Sequence, residues 1–311
     1  MKPIDAGSSP RFAQLATFAR LPHTTELTGL DVAFVGVPFD DSTTFRAGAR
    51  FGPSAIREAS RLLRPYNPAL DVSPFALLSV ADYGDVDVVP GYIEDTFVKI
   101  QTKISSLLAA RVFPLVCGGD HSISLPVLRA LSKQNGRISL IHFDAHSDCW
   151  DSYFGKKYNH GTVFRRAAEE GLVDPSSSIQ VGIRGSLYSA EDATNVEKLG
   201  YKVITARELY GKSLSEVAGE IHDRVKGKTH ISLDIDVVDP AYAPGTGVPE
   251  AAGLTSREII ELTRSLDKVQ AVGFDLVEVS PPYDSNAITS ILASSLFYEF
   301  ICTYALTKRG K

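Results

Sequence analysis

The feature that most constrains this chain is a regular alternation of short apolar runs with longer amphipathic segments. Eight runs rich in Val, Ile and Phe predict strands at 32–37, 75–80, 113–117, 138–143, 179–183, 202–205, 230–236 and 269–276. Helical patterns lie between them at 53–63, 93–110, 125–134, 163–170, 190–199, 214–225 and 256–266, and a last helix is predicted at 288–305. Short, nearly continuous apolar strands that alternate with helices are typical of a mainly parallel sheet covered on both faces. We therefore predict an α/β fold.

The chain length of 311 residues suits one large α/β domain or two average ones. The sequence contains no repeat at 20–50 residues, no low-complexity tract and no convincing linker. We expect residues 1–25 to form an irregular N-terminal arm that is a candidate for subunit contacts. Residues 26–311 are then expected to form a single domain.

Charge and cysteine usage exclude several classes of protein. The net charge of -5, from 37 acidic and 32 basic residues, argues against a broad nucleic-acid surface but permits a small cationic substrate. The N-terminus lacks the apolar core of a secretory signal. The sequence has no run of about 18 apolar residues, so we predict no membrane partner. Three widely spaced cysteines without a CxxC pair are typical of reduced thiols, so we expect a cytoplasmic protein.

Ionisable side chains follow the strands predicted at 113–117 and 138–143. A Gly-Gly-Asp-His-Ser turn after the first strand contains His121, which alone is more often a structural or capping residue. Asp144, His146 and Asp148 follow the second strand at alternate positions, so an extended chain points all three to the same side. Such groups repel or desolvate one another unless a cation joins them, which favours a metal site over an exposed polar loop.

Two more carboxylates lie on the strand predicted at 230–236. Asp234 and Asp236 alternate with apolar residues, so they share the face opposite the apolar one. Two unpaired buried carboxylates would each cost on the order of several kcal/mol. Protonation could neutralise them, but a metal explains both at once.

Together the three segments offer four carboxylates and two imidazoles. These candidate ligands are His121, Asp144, His146, Asp148, Asp234 and Asp236. Two divalent cations would balance the charge of the four aspartates, and an oxygen-rich set with some imidazole suits Mn²⁺, with Ni²⁺, Co²⁺ or Zn²⁺ as alternatives. Such a pair of ions can activate a water as a nucleophile near neutral pH. The sequence therefore predicts a binuclear hydrolytic site.

Other enzyme templates fit less well. Metallophosphatases also combine Asp-x-His with a Gly-Asn-His-Asp-like turn, but there the Asp-x-His comes first, whereas here the glycine turn precedes Asp144. The G-x-S-x-G motif of serine hydrolases is absent. The G-x-G-x-x-G and G-x-x-x-x-G-K-[ST] motifs are absent as well, so nucleotide binding has no support.

Longer segments around these residues resemble the ureohydrolase (arginase/agmatinase) family, in its agmatinase-like branch. They are GARFGPSAIRE at 48–58, GGDHS at 118–122, HFDAHSD at 142–148, HGT at 160–162, SLDIDVVDPAYAPGTGVPE at 232–250 and DLVEVSPPYD at 275–284. The resemblance covers nearly the whole chain. It implies a three-layer α/β/α fold with a central, mainly parallel sheet of about eight strands. It also implies hydrolysis of a guanidino compound to urea and a primary amine at two Mn²⁺ ions, in a trimer or hexamer.

The resemblance also implies a role for each site residue. The first metal would take His121, Asp144, Asp148 and Asp234, and the second Asp144, His146, Asp234 and Asp236. His160 matches the family's proton-shuttle histidine, and Glu278 matches the glutamate that holds the guanidinium. Asp148 is also expected to pass a proton to the leaving amine. From the residues alone, His160 would be a loop histidine. Glu278 could be a surface charge, but the course of the strand before it, toward the site, favours a functional role.

The substrate is only weakly specified. We expect agmatine, which gives putrescine and urea, with a guanidino acid such as 4-guanidinobutanoate or 3-guanidinopropanoate as the alternative. Asp151 is a candidate partner for an agmatine ammonium, and Lys156, Lys157 or Arg184 for a carboxylate. The loop at 149–159 lacks the Asn- and Ser-bearing pattern of arginases. A catalytically inactive binding or regulatory subunit would be expected to lose ligands, and a deacetylase would need His-His and Tyr features that the chain lacks.

Overall fold

The computed structural model describes residues 1–309 and contains one eight-stranded sheet. The strands are β1 (Val32–Val37), β2 (Val80–Asp85), β3 (Phe113–Gly118), β4 (Ser139–Phe143), β5 (Ile179–Ile183), β6 (Lys202–Thr205), β7 (Lys228–Asp234) and β8 (Gln270–Val277). Their order across the sheet is β2-β1-β3-β8-β7-β4-β5-β6, and every strand pair is parallel. The predicted parallel sheet of about eight strands is confirmed.

Helices connect the strands, as the parallel pairing requires. In the described part of the chain they are α1 (Gly52–Ala59), α2 (Pro74–Leu77), α3 (Ile93–Ala109), α4 (Ser124–Asn135), α5 (Val163–Glu169), α6 (Ala190–Lys198), α7 (Ala206–Leu209), α8 (Leu214–Arg224), α9 (Ser256–Arg264) and α10 (Ile288–Arg309). All eight predicted helices are present, with ends that differ by a few residues. The very short helices α2 and α7 were not predicted.

Both faces of the sheet are apolar, because successive side chains of a strand point to opposite sides. In β1, Val32 and Phe34 belong to one hydrophobic cluster, whereas Val35 and Val37 belong to the other. Residues of α1, α8, α9 and α10 complete the first cluster, and residues of α3, α4 and α5 complete the second. The fold is therefore the predicted three-layer α/β/α arrangement.

The last helix, α10, is a core element. Its segment Ile288–Lys308 is long and apolar enough to cross a membrane, but 78% of its most apolar stretch is buried inside the protein. The ring of Phe297 lies 5.8 Å from that of Phe18, 5.2 Å from Phe34 and 5.6 Å from Phe274. These edge-to-face contacts join α10 to the sheet and to the end of the N-terminal arm.

Two predicted strands needed correction. The run at 75–80 is not a strand, because Pro74 begins the short helix α2 and the strand β2 starts only at Val80. The strand predicted at 230–236 ends at Asp234, and Asp236 lies in the 3-10 turn that follows.

The end of the N-terminal arm packs onto the sheet. A 3-10 turn at Phe18–Arg20 buries Phe18, and Leu21 is buried beside it in the first core cluster. Before this turn, the described arm contains neither helix nor strand. The division of the chain into an arm and one domain stays a prediction.

Candidate metal centre

Four neighbouring strands at the centre of the sheet supply the candidate site. Their order is β3-β8-β7-β4, and polar side chains follow each of them at its carboxyl end. His121 comes after β3, Glu278 after β8 and Asp144 after β4, while Asp234 is the last residue of β7. Ligands in open α/β sheets bind outside these strand ends, where successive connections diverge. The topology thus brings together segments more than 150 residues apart in the sequence, such as His121 and Glu278.

The Gly-Gly turn after β3 determines where His121 lies. A Cβ atom on Gly119 would collide with the carbonyl oxygen of Phe39, so this position requires glycine. Asp120 then accepts hydrogen bonds from the backbone N–H groups of Ser42 (3.0 Å) and Ser122 (3.0 Å). These contacts hold His121 in the first turn after the strand, where it is fully buried.

Three carboxylates surround one ring nitrogen of His121. The His121 Nδ1 atom lies 3.1 Å from Asp144 Oδ2, 2.9 Å from Asp148 Oδ2 and 3.3 Å from Asp234 Oδ2. Among the residues the structure describes, this buried nitrogen has no hydrogen-bond partner of acceptable geometry. A nitrogen and three oxygens that converge without hydrogen bonding to one another are a donor set suited to a cation.

A second donor set lies beside the first and shares Asp144 with it. His146 Nδ1 lies 3.0 Å from Asp236 Oδ2 and 3.5 Å from Asp144 Oδ1. The ligand atoms of Asp144, His146 and Asp236 all lie within 4.8 Å of one another. The structure therefore brings all six predicted ligands into two adjacent groups, with Asp144 between them.

The carboxylates in these groups repel one another. Burial raises the pKa of Asp234 well above its ordinary value, and the charges of Asp236 and Asp144 raise it further. Burial and the Asp144 charge raise the pKa of Asp236 to about 6. Burial also acts to raise the pKa of Asp144, but the adjacent histidines, led by His142, lower it well below its ordinary value. Bound cations would remove this repulsion, so the charge pattern fits a metal pair.

A hydrogen-bonded chain behind His121 determines which ring nitrogen is available. His121 Nε2 lies 2.8 Å from Ser232 Oγ, and the Ser232 hydroxyl donates to Asp275 Oδ1 over 2.5 Å. Asp275 Oδ2 lies in turn 2.8 Å from His230 Nε2. Since the serine proton is given to Asp275, the serine oxygen accepts the N–H of His121 Nε2. The Nδ1 lone pair then faces the three carboxylates.

Sequence reasoning missed His142, although a signal for it was present. His142 Nε2 lies 2.7 Å from Asp144 Oδ2, and the ring is fully buried. It belongs to one of the groups that could hold a metal, together with His121, Asp144 and Asp148. His142 occupies the position two before Asp144, so the alternation that identified Asp144, His146 and Asp148 extends one step further back.

The two predicted catalytic residues outside the ligand set contact each other. His160 Nδ1 lies 2.9 Å from Glu278 Oε1, which also accepts the backbone N–H of His121 at 2.9 Å. Burial lowers the pKa of His160, but the hydrogen bond and charge of Glu278 outweigh this effect and raise it to about 9. The other oxygen, Glu278 Oε2, is buried and has no hydrogen-bond partner within residues 1–309. A buried carboxylate oxygen left open in this way is a site for a cationic group.

Two site residues hold a backbone conformation that L-residues rarely adopt. The φ angle is 51° at Asp148 and 64° at Glu278. Asparagine and aspartate tolerate the left-handed region fairly well, whereas glutamate does so less often. Such strain, on the order of 1–3 kcal/mol per residue, persists where the surrounding structure imposes it, and it concentrates at functional sites.

A small cavity opens beside both donor sets. Its volume is about 50 Å³, and His146, Asp148, Asp234, Asp236, His160 and Glu278 line it together with Thr44, Trp150, Tyr153, Gly161 and Val248. The indole Nε1 of Trp150 is buried and finds no acceptor in the described chain. The cavity can thus place a planar head group between the metal ligands and Glu278, with aromatic rings at one side.

The four residues predicted to contact the substrate tail do not line this cavity. Asp151 is 2.7 Å from Arg166 Nη2 and 3.3 Å from Arg165 Nε, and both arginines also pair with Glu169. Arg184 donates to backbone carbonyls, including those of Asp236 (2.6 Å) and Glu250 (2.8 Å), and so connects the loops that contain these two residues. Lys156 and Lys157 are exposed in the loop before His160. The contacts of Asp151 and Arg184 come from helix α5 and from distant loops, and their roles toward a substrate tail stay predictions.

Comparison with known proteins agrees with this geometry. The Arginase family model matches residues 30–303. The chain is 45% identical to a guanidinobutyrase of Pseudomonas aeruginosa over 97% of this chain and 96% of that protein, and 44% identical to a mitochondrial agmatinase of Gallus gallus over 93% and 85%. The solved structure of the proclavaminate amidino hydrolase from Streptomyces clavuligerus superposes with a TM-score of 0.93 at 41% identity, covering 96% of this chain and 100% of that one. The chain belongs to the arginase family of metal-dependent amidinohydrolases.

Proposed function

We propose that this protein hydrolyses a linear guanidino compound to urea and a primary amine at two Mn²⁺ ions. One observation carries the proposal: Glu278, whose Oε2 is buried and has no hydrogen-bond partner among the described residues, lines the same cavity as four of the six candidate metal ligands, His146, Asp148, Asp234 and Asp236. A carboxylate there accepts a cation, and the donor sets beside it accept metal ions. The names of the similar proteins support this class of substrate.

The donor chemistry fits two hard divalent cations. Four aspartates and two histidines would hold them, with His121 Nδ1 and His146 Nδ1 as the nitrogen ligands. Oxygen-rich sets with some imidazole suit Mn²⁺, which is our proposal for the native metal. When bound, the ions supply a water activated as a nucleophile and a positive field for the charge that develops during attack.

Glu278 is the residue that would bind the substrate head group. A guanidinium is always charged near neutral pH, and its planar N–H groups match a carboxylate. Because Glu278 Oε1 already accepts from His121 and His160, the open Oε2 is the oxygen that receives the substrate. This contact holds the guanidino carbon beside the metal ligands, so orientation is set before the reaction begins.

His160 and Asp148 would move the protons. Asp148 lies in the first donor set and also lines the cavity, where it can accept a proton from the attacking nucleophile. His160 lines the same cavity: its Nδ1 lies 2.9 Å from Glu278 Oε1, and its Nε2 lies 3.1 Å from the backbone nitrogen and 2.9 Å from the hydroxyl oxygen of Thr44. A histidine with a raised pKa holds a proton at neutral pH and can deliver it to the leaving amine.

We further propose that the substrate tail is a carboxylate rather than an ammonium. An ammonium would need an acceptor, but the sequence's candidate, Asp151, does not line the cavity and pairs with Arg165 and Arg166. Trp150 lines the cavity, and its indole Nε1, which can only donate, is buried and has no acceptor in residues 1–309. Exposed Lys156 and Lys157 add positive charge to the same loop. These features favour a guanidino acid, with agmatine as the second candidate.

Urea release from 4-guanidinobutanoate, 3-guanidinopropanoate, agmatine and arginine tests the proposed substrate. We expect kcat/KM for at least one guanidino acid to exceed that for agmatine by tenfold or more. Trp150→Phe should lower kcat/KM for the guanidino acid by about tenfold, because one hydrogen bond to a charged group is lost. The same substitution should change kcat/KM for agmatine little. Tyr210→Phe, at an exposed position, is the control. Faster hydrolysis of agmatine than of either guanidino acid would contradict the proposed carboxylate tail. If none of the four compounds releases urea, the proposed enzyme class is contradicted.

We also propose a homo-oligomer, a trimer or hexamer, in the cytoplasm. Phe12 and Leu15 of the arm are 87% and 79% exposed, which supports a subunit contact there. Cys117, Cys149 and Cys302 are free and buried, which suits a reducing compartment. Sedimentation velocity of wild type and of a Phe12→Ser, Leu15→Ser variant tests the arm contact, since loss of these side chains should shift the protein toward smaller species.

A further inference from the structure

Thr44 lines the cavity beside the candidate metal ligands and contacts the ring of His160 through two different groups. It lies in the loop between β1 and α1. Its backbone nitrogen lies 3.1 Å from His160 Nε2, and its hydroxyl oxygen lies 2.9 Å from the same atom. The other ring nitrogen, Nδ1, lies 2.9 Å from Glu278 Oε1. Both nitrogens of the candidate proton shuttle therefore have protein partners.

The loop that contains Thr44 is anchored on two sides. Ser42 donates to Asp120 Oδ2 from its backbone nitrogen at 3.0 Å and from its hydroxyl at 2.7 Å. Asn159, the residue before His160, donates its side-chain amide to the Ser42 carbonyl at 2.6 Å. The loop is thus tied to the turn after β3 and to the turn that contains His160. These contacts hold Thr44 against the ring without the help of a substrate.

The two groups of Thr44 differ in what they can offer a ring nitrogen. A backbone N–H can only donate, so it bonds to His160 Nε2 when this nitrogen carries no proton. A hydroxyl oxygen can also accept, so it can bond to Nε2 when this nitrogen carries a proton. Nδ1 carries a proton in both cases and donates it to Glu278. Thr44 can therefore bond to the ring in its neutral and in its charged form.

The hydroxyl is the group that the charged ring needs. Within residues 1–309, Thr44 supplies the only hydrogen-bond partners of His160 Nε2. Without the hydroxyl, a proton on Nε2 would face the backbone N–H of Thr44, and two donors would point at each other. A poorly exposed donor that lacks an acceptor is costly, and more so on a charged group. The hydroxyl oxygen removes this cost.

We propose that Thr44 is a positioning residue for the proton shuttle: its backbone N–H bonds to neutral His160, and its hydroxyl oxygen bonds to the charged ring. The proposal rests on the proposed function, in which His160 passes through both forms. Nε2 is then the nitrogen that gives its proton to the leaving amine and regains one from solvent. Throughout this exchange, Nδ1 stays bonded to Glu278, so the ring keeps one orientation.

The charged groups that face His160 act on a different part of the ring or from a distance. Burial lowers the pKa of His160, and the carboxylates of Glu278, Asp148 and Asp120 raise it. These three residues follow β8, β4 and β3. In the described chain, none of the three is hydrogen bonded to Nε2. A change confined to the Thr44 hydroxyl leaves them in place, so its effect can be measured separately.

Titration of the His160 ring in the metal-free protein tests the contact itself. Thr44→Val keeps the backbone N–H and the shape of the side chain but removes the acceptor, so NMR should give a midpoint about one pH unit lower than in wild type. Thr44→Ser restores the hydroxyl and should restore the midpoint. Thr43→Val is the matched control, because the Thr43 hydroxyl donates to the Asp40 carbonyl and Thr43 does not line the cavity. A midpoint that is unchanged in Thr44→Val, or lowered as much in Thr43→Val, would overturn the proposal.

The pH dependence of urea release tests the role in the reaction. If charged His160 delivers the proton, kcat falls on the alkaline side as the ring loses it, and this fall should begin about one pH unit lower in Thr44→Val. Thr44→Ser and Thr43→Val should follow the wild-type profile. KM at neutral pH should change less than about twofold in Thr44→Val, because Glu278, which binds the guanidinium, is unaltered.

The two measurements separate a failure of this proposal from a failure of the proposed function. Absence of urea release from wild type would contradict the proposed function, and with it any role of Thr44 in the reaction, while the ring titration would still report the contact. Urea release from wild type with the same kcat profile in Thr44→Val, or with a raised KM and an unshifted profile, would overturn the role of Thr44 alone.

Discussion

Ser232 donates its hydroxyl proton to Asp275 across 2.5 Å, and this bond orients the serine oxygen toward His121. Ser232 lies on β7 and Asp275 on β8, directly opposite each other in the parallel register. His230, two residues before Ser232, is bonded to the other oxygen of Asp275. The pair therefore fixes the ring of His121 from behind, with Nδ1 toward the aspartates.

Removing this support should weaken metal binding without unfolding the protein. We expect Ser232→Ala and Asp275→Asn each to lower Mn²⁺ affinity by about 10–100-fold, the usual effect of losing an outer hydrogen bond to a metal-binding histidine. Competition with a fluorescent chelator measures the affinity. Ser294→Ala, at a buried serine of α10 whose hydroxyl donates to the Ile291 carbonyl of the same helix, should behave as wild type. Unchanged affinity in both site variants would show that the support is not needed.

Glu278→Gln should separate substrate binding from metal binding. The amide keeps the shape of the side chain but loses the charge that holds the guanidinium, so kcat/KM should fall by roughly 100-fold or more, at the upper end expected for a charged hydrogen bond. Metal content should remain complete, because Glu278 lies outside both donor sets. Urea release and elemental analysis check the two expectations. Glu261→Gln, on the surface of α9, is the control, and wild-type activity in Glu278→Gln would refute the assignment.

In the metal-free protein, we expect the ring of His160 to lose its proton at a higher pH than an ordinary histidine does. Burial alone would lower its pKa, but Glu278 raises it to about 9. NMR of the ring should therefore give a midpoint near that value, and Glu278→Gln should bring it to the ordinary 6.5 or below. A midpoint unaffected by Glu278→Gln would contradict this cause.

The same shift predicts how stability depends on pH. Because the folded pKa is higher than the unfolded one, the pair stabilises the metal-free protein fully below about pH 6.5 and loses this effect as pH rises through about 9. The contribution is on the order of 3 kcal/mol. The difference in unfolding free energy between wild type and His160→Asn should thus be larger at pH 6 than at pH 10. An equal difference at both pH values would exclude a titrating pair.

Sequence periodicity pointed to most of the candidate metal ligands that the structure brings together, because these residues follow strand alternation. Asp144, His146 and Asp148 extend the spacing of β4 beyond its end, and Asp234 closes β7. Asp236 was placed on a strand but lies in a 3-10 turn, where it still reaches His146. This error did not change the predicted ligand set, because the tight turn keeps Asp234 and Asp236 at the same strand end.

The contacts that sequence could not predict depend on the packing of distant segments. The pairing of Ser232 with Asp275 requires the register of β7 against β8, which no local pattern specifies. Asp151 was a reasonable partner for a cation, but its partners are Arg165 and Arg166, which the turn of α5 brings to it. The strand predicted at 75–80 failed for a local reason, since Pro74 favours a helical first turn within an apolar run.

The metal content of the protein tests the central claim most directly. Elemental analysis of protein saturated with Mn²⁺ and freed of excess should find two ions per chain in wild type. Asp234→Ala should lose metal and activity together, whereas His160→Ala should lose turnover but keep both ions. One ion or none in the saturated wild type, or two ions retained in Asp234→Ala, would contradict a dinuclear centre built from these residues.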